Sequence, residues 1–513
     1  MFAAALGLSG CQDTNSAPSR QHFGTSESRD EMNDEHFHYA LRLLHTMDEL
    51  QADSALNTVV ARLQEWRKHK QPQPDWAPDP LLETLPAELR AMPEVKSLAE
   101  LNFTSSDGLE LQQTVWLSEI AKRARGEERG PVAIAQALFD WVVRNIQLER
   151  DGTIEVPHLP RDTLLFGRGT AADRAWVFAL LCRQQGLDVV MLAFPGKQAG
   201  DPPRLWLPAL AVDGELYLFD TRLGLPIPGP DGKPVATFKD VLENEALLRQ
   251  MDVDKTQRAY PVRAADLAKL VVLLEASPAS LSQRMQLVAS ELPGKEAVVL
   301  TTEPSAVAER VKNHPHIESV KLWALPYERL SVLAKHDPEI VQKAQQELDP
   351  FKKPVPTLWR ARVLHLLGNY SGEQGAGPLY QRARPADADL KMLRASAKPN
   401  EAAMADADLA RLRAAKQSAS YWLGLMAYER GNYPSAIDYL ETRTLNASPD
   451  GPWTAGARYN LGRTYEALGK TDDAIRYYKA DLSAQRNGNL LRARRLEEQA
   501  KKPAAKGAAG GDV

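Results

Sequence analysis

In the stretch Gly169-Thr-Ala-Ala-Asp-Arg-Ala-Trp-Val-Phe-Ala-Leu-Leu-Cys-Arg-Gln-Gln-Gly186, apolar residues crowd the centre and a glycine stands at each end. The pattern predicts a helix over 170–185, entered from the loop Phe166-Gly-Arg-Gly-Thr170. Upstream, 131–146 (PVAIAQALFDWVVRNI) has the period of an amphipathic helix. Downstream, Val189-Val-Met-Leu-Ala193 reads as a buried strand. Residues 205–211 and 216–219 then form a strand pair around the turn Asp213-Gly214.

Farther out, residues 265–330 alternate strand (270–274), helix (280–292), strand (297–301), helix (305–313) and strand (320–325). That order predicts a small α/β region. Residues 35–110 read as a helical segment, with stripes Phe37, Ala40, Leu41, Leu44, Met47 and then Leu56, Val59, Val60, Leu63. The Pro-rich connector Gln71–Pro80 interrupts it, because proline cannot continue a helix. Helical patterning resumes near Leu111, and residues 355–495 are helical again, leaving 496–513 as a Lys/Ala/Gly-rich tail expected to be disordered.

Within that last part, Tyr421-Trp-Leu-Gly-Leu-Met-Ala-Tyr-Glu-Arg-Gly-Asn-Tyr-Pro-Ser-Ala436 aligns with Tyr459-Asn-Leu-Gly-Arg-Thr-Tyr-Glu-Ala-Leu-Gly-Lys-Thr-Asp-Asp-Ala474. Gly424/Gly462, Gly431/Gly469 and Ala436/Ala474 share one offset of 38 residues. Small residues let paired helices cross closely, and a glycine lets the chain leave the helix. The pair resembles the tetratricopeptide repeat, whose period is about 34 residues, with Ser448–Pro452 as the insertion. A degenerate earlier unit spans Trp359 to Ala383 through Gly368-Asn-Tyr370. The resemblance implies a surface for protein or peptide partners.

The segment 111–247 resembles the transglutaminase-like superfamily, a papain-like thiol fold. In that family a cysteine nucleophile stands at the N-terminus of the central helix, ahead of a pattern that reads here Arg174-Ala-Trp-Val-Phe-Ala-Leu-Leu-Cys-Arg-Gln-Gln-Gly186-Leu. Counting back from Gly186 puts the nucleophile position on Ala171. The family's histidine begins a strand and its aspartate follows in the next. Here that stretch runs Arg204-Leu-Trp-Leu-Pro-Ala-Leu-Ala-Val-Asp-Gly-Glu-Leu-Tyr-Leu-Phe-Asp220, so Arg204 stands for the histidine and Asp220 for its partner.

The resemblance therefore implies a degenerate triad at Ala171, Arg204 and Asp220. Cys182 sits about three turns beyond Ala171, roughly 16 Å along the helix, where burial and not activation is expected. An Arg204–Asp220 ion pair is the expected structural use of the two surviving polar positions. A second expectation is an anion-receptive cleft at the helix start, built from Arg168, Thr170, Arg174 and Arg204. An enzymatic alternative is a cysteine-independent peptidase, amidase or acyl transferase using Thr170, with His158 as the nearest candidate base.

The N-terminal run Leu8-Ser-Gly-Cys11 resembles a bacterial lipobox, followed by a polar, disorder-prone stretch to residue 34. The resemblance implies lipidation at Cys11 and an exported, membrane-anchored lipoprotein on the periplasmic or outer-surface side, although no basic residue precedes the apolar run. The balance of 63 Lys+Arg against 67 Asp+Glu gives no footprint for nucleic acid, and none is expected as a partner. No phosphate loop or dinucleotide fingerprint occurs, so no cofactor is expected. His36/His38 and His314/His316 lack further ligands at metal spacing and read as surface histidines, so no metal is expected. The chain, 513 residues long, thus reads as an α+β multi-domain protein whose leading function is non-catalytic binding.

Overall fold

The computed structural model describes residues 35–44, 53–152, 156–198, 200–254, 257–292, 298–355 and 357–501. Cys11, the polar stretch after it and the tail beyond 501 lie outside the described residues. A short parallel pair, β1 (Gln147–Leu148) with β2 (Arg168–Gly169), precedes a six-stranded sheet ordered β6-β5-β4-β3-β7-β8. Its strands are β3 (Asp188–Phe194), β4 (Arg204–Val212), β5 (Glu215–Asp220), β6 (Leu225–Pro226), β7 (Leu270–Leu274) and β8 (Ile317–Leu322). All neighbours are antiparallel except β7 and β8. The β4–β5 hairpin closes at Asp213 (φ 51°) and Gly214 (φ 78°), two left-handed positions whose twist suits adjacent strands.

Strand alternation gives the sheet two buried faces. On one, Met191, Ala193, Val271 and Leu273 pack against α3 (Pro131–Asn145) and the central helix α4 (Ala171–Arg183). On the other, Val190, Leu192, Leu207, Val272 and Leu274 meet Leu82, Leu85, Phe238 and Tyr327. A third cluster joins residues 35–44 and α1 (Asp53–Arg67) to α2 (Ser105–Arg125) and α5 (Gln283–Glu291), through Phe37, Trp66, Leu111, Met285 and Val288.

Two expectations change here. The strands of 265–330 do not make a separate region: β7 pairs with β3, Met191 opposite Leu273, and extends the same sheet. The strand expected at 297–301 is not formed at 298–301. There the Gln184 side chain brackets Val299, its Nε2 donating to Val299 O at 2.8 Å and its Oε1 accepting from Val299 N at 3.0 Å.

The C-terminal helices stack as hairpins: 357–366 with 376–382, α6 (Ala402–Glu429) with 433–446, and α7 (Thr454–Ala467) with α8 (Thr471–Lys479). A Cβ at Gly424 would lie 2.6 Å from Leu440, and one at Gly462 2.4 Å from the Tyr478 ring, so both crossings need glycine. Gly431 and Gly469 both leave their helices at φ 69°. The last helix, α9 (Arg486–Lys501), continues through 496–501, where a disordered tail was expected; its face includes Leu496, which packs on the core.

The first helix of each repeat is turned toward the sheet domain. Asn460 Nδ2 donates to Arg144 O at 3.0 Å, and Trp141 Nε1 donates to Glu429 Oε1 at 2.9 Å. Gln147 accepts from Gly456 N at 2.8 Å and donates to Pro452 O at 2.9 Å. Arg463 pairs with Asp140. One apolar cluster runs without a break from Trp116 through Trp176 to Tyr478.

Candidate functional site

The start of α4 is built by a capping box. Thr170 Oγ1 accepts from Asp173 N at 3.3 Å and donates to Asp173 Oδ2 at 2.8 Å, while that carboxylate also accepts from Thr170 N at 2.8 Å. Both capabilities of the Thr170 hydroxyl are thereby used in closing the helix. Ala171 follows, buried, its carbonyl accepting from Thr221 Oγ1 at 2.9 Å. That bond sets the helix start beside Asp220, the neighbour of Thr221. Cys182 is fully buried in mid-helix, and burial pushes its thiol well above the usual range.

Arg204 and Asp220 both line one cleft of about 820 Å³, but they are not paired. Arg204 is exposed and its guanidinium lies 5.7 Å from the Phe194 ring centroid. Asp220 is buried and accepts from Leu223 N and from the Tyr260 hydroxyl, each at 2.8 Å. Burial raises its carboxyl above the ordinary value against the pull of these two bonds. Tyr260 in turn accepts from Trp206 Nε1 at 2.8 Å. The expected Arg204–Asp220 ion pair is thus replaced by a Trp206–Tyr260–Asp220 relay. Phe194 and Tyr260 pack with the cluster on the sheet face away from α4. The three family positions meet at one end of the sheet, yet Arg204 and Asp220 direct their side chains away from Ala171.

The arginines expected to converge on an anion take separate partners. Arg168 pairs with Glu347 at 2.8 Å. Arg174 is buried, donating to Ile146 O at 2.6 and 2.9 Å, to Val143 O and Thr221 O at 3.3 Å, and to Gln485 Oε1 at 2.5 Å. Its guanidinium is pushed down to about 10, first by burial. Arg204 stands apart over Phe194. No shared cleft of Arg168, Thr170, Arg174 and Arg204 forms, because carbonyl and carboxylate acceptors distant in sequence claim two of the three guanidinia.

His158 is 2% exposed and its Nε2 lies 2.8 Å from Glu347 Oε2, so Glu347 bridges it to Arg168. Its bond is to this carboxylate and not to Thr170, whose hydroxyl faces Asp173. Sequence reading missed Tyr260, Glu347 and Gln485. Each acts across a long stretch of chain and carries no local motif. The only available hint was the aromatic side chain of Trp206 close to Arg204.

Residues 118–192 match the transglutaminase-like superfamily, and residues 416–487 match the tetratricopeptide repeat. No curated protein and no solved structure matches the chain. The chain therefore carries a transglutaminase-like domain and a C-terminal tetratricopeptide repeat within one α+β architecture. The first match covers Ala171 and ends in β3. The assignments of Arg204 and Asp220 lie past it and rest on their spacing.

Proposed function

We propose that this chain is a catalytically silent transglutaminase-like protein that binds a peptide or protein partner, held at a membrane on the exported side through Cys11. The observation that carries the reading is the alanine at 171, with the only described cysteine, Cys182, buried where no substrate reaches it. The surroundings of Asp220 support it further: its carboxylate is held by Tyr260 and Leu223, and the residue at the family's histidine position, Arg204, makes no pair with it. Tetratricopeptide repeats serve protein–protein contact. The 820 Å³ cleft, walled by Trp206 and Tyr260 with Arg204 at its rim, offers a peptide both aromatic surface and positive charge.

The test is to incubate the purified chain with glutamine-donor and peptide substrates beside an Ala171→Cys/Arg204→His double variant. No turnover by the wild type is expected, and turnover would overturn the silent reading. Activity gained by the double variant would confirm the assignment of both positions. For the membrane tether, cells expressing the chain are fed labelled palmitate. Label on the wild type and none on Cys11→Ser is expected, whereas an unlabelled wild type sinks the anchor.

A further inference from the structure

A second cavity, of about 530 Å³, lies where the transglutaminase-like domain meets the last helix. Its walls are two helices presenting stripes at i, i+3, i+4 and i+7: Ala133, Gln136, Ala137 and Asp140 on α3, and Arg492, Arg495, Leu496 and Gln499 on α9. The alanines are too short to fill the gap, so the slot stays open. Its floor is the β5–β6 bend, with Phe219 and Leu225.

Among the described residues every arginine around the slot but one has an ion pair, and the exposed Glu128 carboxylate also lines it. Asp140 is matched by Arg144 at 3.0 Å and by Arg463. Arg492 pairs with Glu466 at 3.1 Å, and Arg494 lies 3.7 Å from Glu498. Arg495 makes no ion pair within 4.0 Å among the described residues: Glu498, one turn along α9 and shared with Arg494, attracts it only from farther off, and its hydrogen bond runs to Met251 Sδ at 3.4 Å. Burial, together with the neighbouring Arg492 and Arg494, outweighs the pull of Glu498 and brings its guanidinium down to about 10. A half-buried guanidinium without a direct ion pair keeps part of its desolvation cost, which an arriving anion offsets.

We propose that this slot between α3 and α9 is a binding site for a small monocarboxylate with an apolar body. Arg495 takes the carboxylate as a planar donor fork. Phe219, Leu225 and Leu496 enclose the apolar part, and the Gln136 and Gln499 amides stand at the walls for a polar substituent. The site needs both modules, since α3 belongs to one and α9 closes the other.

The experiment titrates the full chain calorimetrically with acetate, hexanoate, benzoate and 3-phenylpropionate, with 3-phenylpropionamide and inorganic phosphate as controls. Affinity is expected to rise along the carboxylate series and to fall about tenfold or more for the amide, a difference of roughly 1.4 kcal/mol. Arg495→Gln and, separately, Ala137→Leu are each expected to weaken 3-phenylpropionate about tenfold or more while leaving the thermal midpoint near wild type. Two independent variants on opposite walls keep the result readable if one of them misfolds. The proposal is overturned if no carboxylate saturates at millimolar concentration, if phosphate binds as well as 3-phenylpropionate, or if binding survives both substitutions.

Discussion

The Tyr260 hydroxyl donates to Asp220 Oδ2 at 2.8 Å while accepting from the Trp206 indole at the same distance. Tyrosine has taken the acceptor that a triad would reserve for histidine. Tyr260→Phe should cost about 1–3 kcal/mol, because a buried carboxylate loses one of its two donors. Folding already raises the Asp220 carboxyl through burial, so its stability contribution is greatest in acid and fades as pH rises. Removing the donor raises it further. The gap between wild type and variant in urea midpoint should therefore be wider at pH 8 than at pH 4, and a constant gap would contradict the relay.

Arg174 binds the transglutaminase-like domain to the segment before α9 by its bond to Gln485, which itself donates to Leu223 O at 2.7 Å. Arg174→Met keeps the stem and strands three carbonyls and an amide. A loss of about 3–5 kcal/mol is expected, because several buried acceptors lose their donor at once. Limited proteolysis should find new cleavage in 480–501 in this variant. An unchanged digestion pattern would mean that the joint does not depend on this residue.

The two kinds of repeat glycine should respond differently. At Gly462 a methyl would meet the Tyr478 ring at 2.4 Å and force the α7–α8 crossing apart, for about 1–3 kcal/mol. At Gly469 nothing lies near the added methyl, and only the left-handed backbone is strained, for about 1 kcal/mol. Thermal midpoints of the two alanine variants should fall in that order.

Glu110, half-buried on α2, has its carboxyl raised from 4.5 to about 7, first by burial and then by the nearby Glu275. A raised acid stabilises the fold fully below its unfolded value, and that contribution is lost as pH climbs from about 4.5 through about 7. Glu110→Gln should thus match the wild type near pH 4 and exceed it by about 1–2 kcal/mol at pH 8. Chemical denaturation at the two pH values decides the matter.

What was legible in the sequence was local. The helix at 171–183, the β4–β5 hairpin around Asp213-Gly214 and the repeat hairpins all follow from short-range period and turn chemistry. The strands at 270–274 and near 320 were also visible, but their partner strand was not. β7 joins β3 across some eighty residues, and nothing in its apolar run names that neighbour. The site failed for the same reason. Arg204 and Asp220 read as complementary until Tyr260 enters from another loop, and Arg168 and Arg174 read as free until Glu347 and Gln485 arrive.

The apolar cluster that runs from Trp116 to Tyr478 also bears on how the chain is made. Residues 118–192 leave the ribosome well before the repeats, with the Arg174 site and the α3 surface uncovered. At usual elongation rates Gln485 follows roughly 15–60 s later. Throughout that interval the nascent domain lacks the helices that seal it, a window in which a chaperone or a premature stop would decide its fate. Loss of α9 alone, by a late nonsense codon, should therefore yield an aggregation-prone chain and not a trimmed but working one.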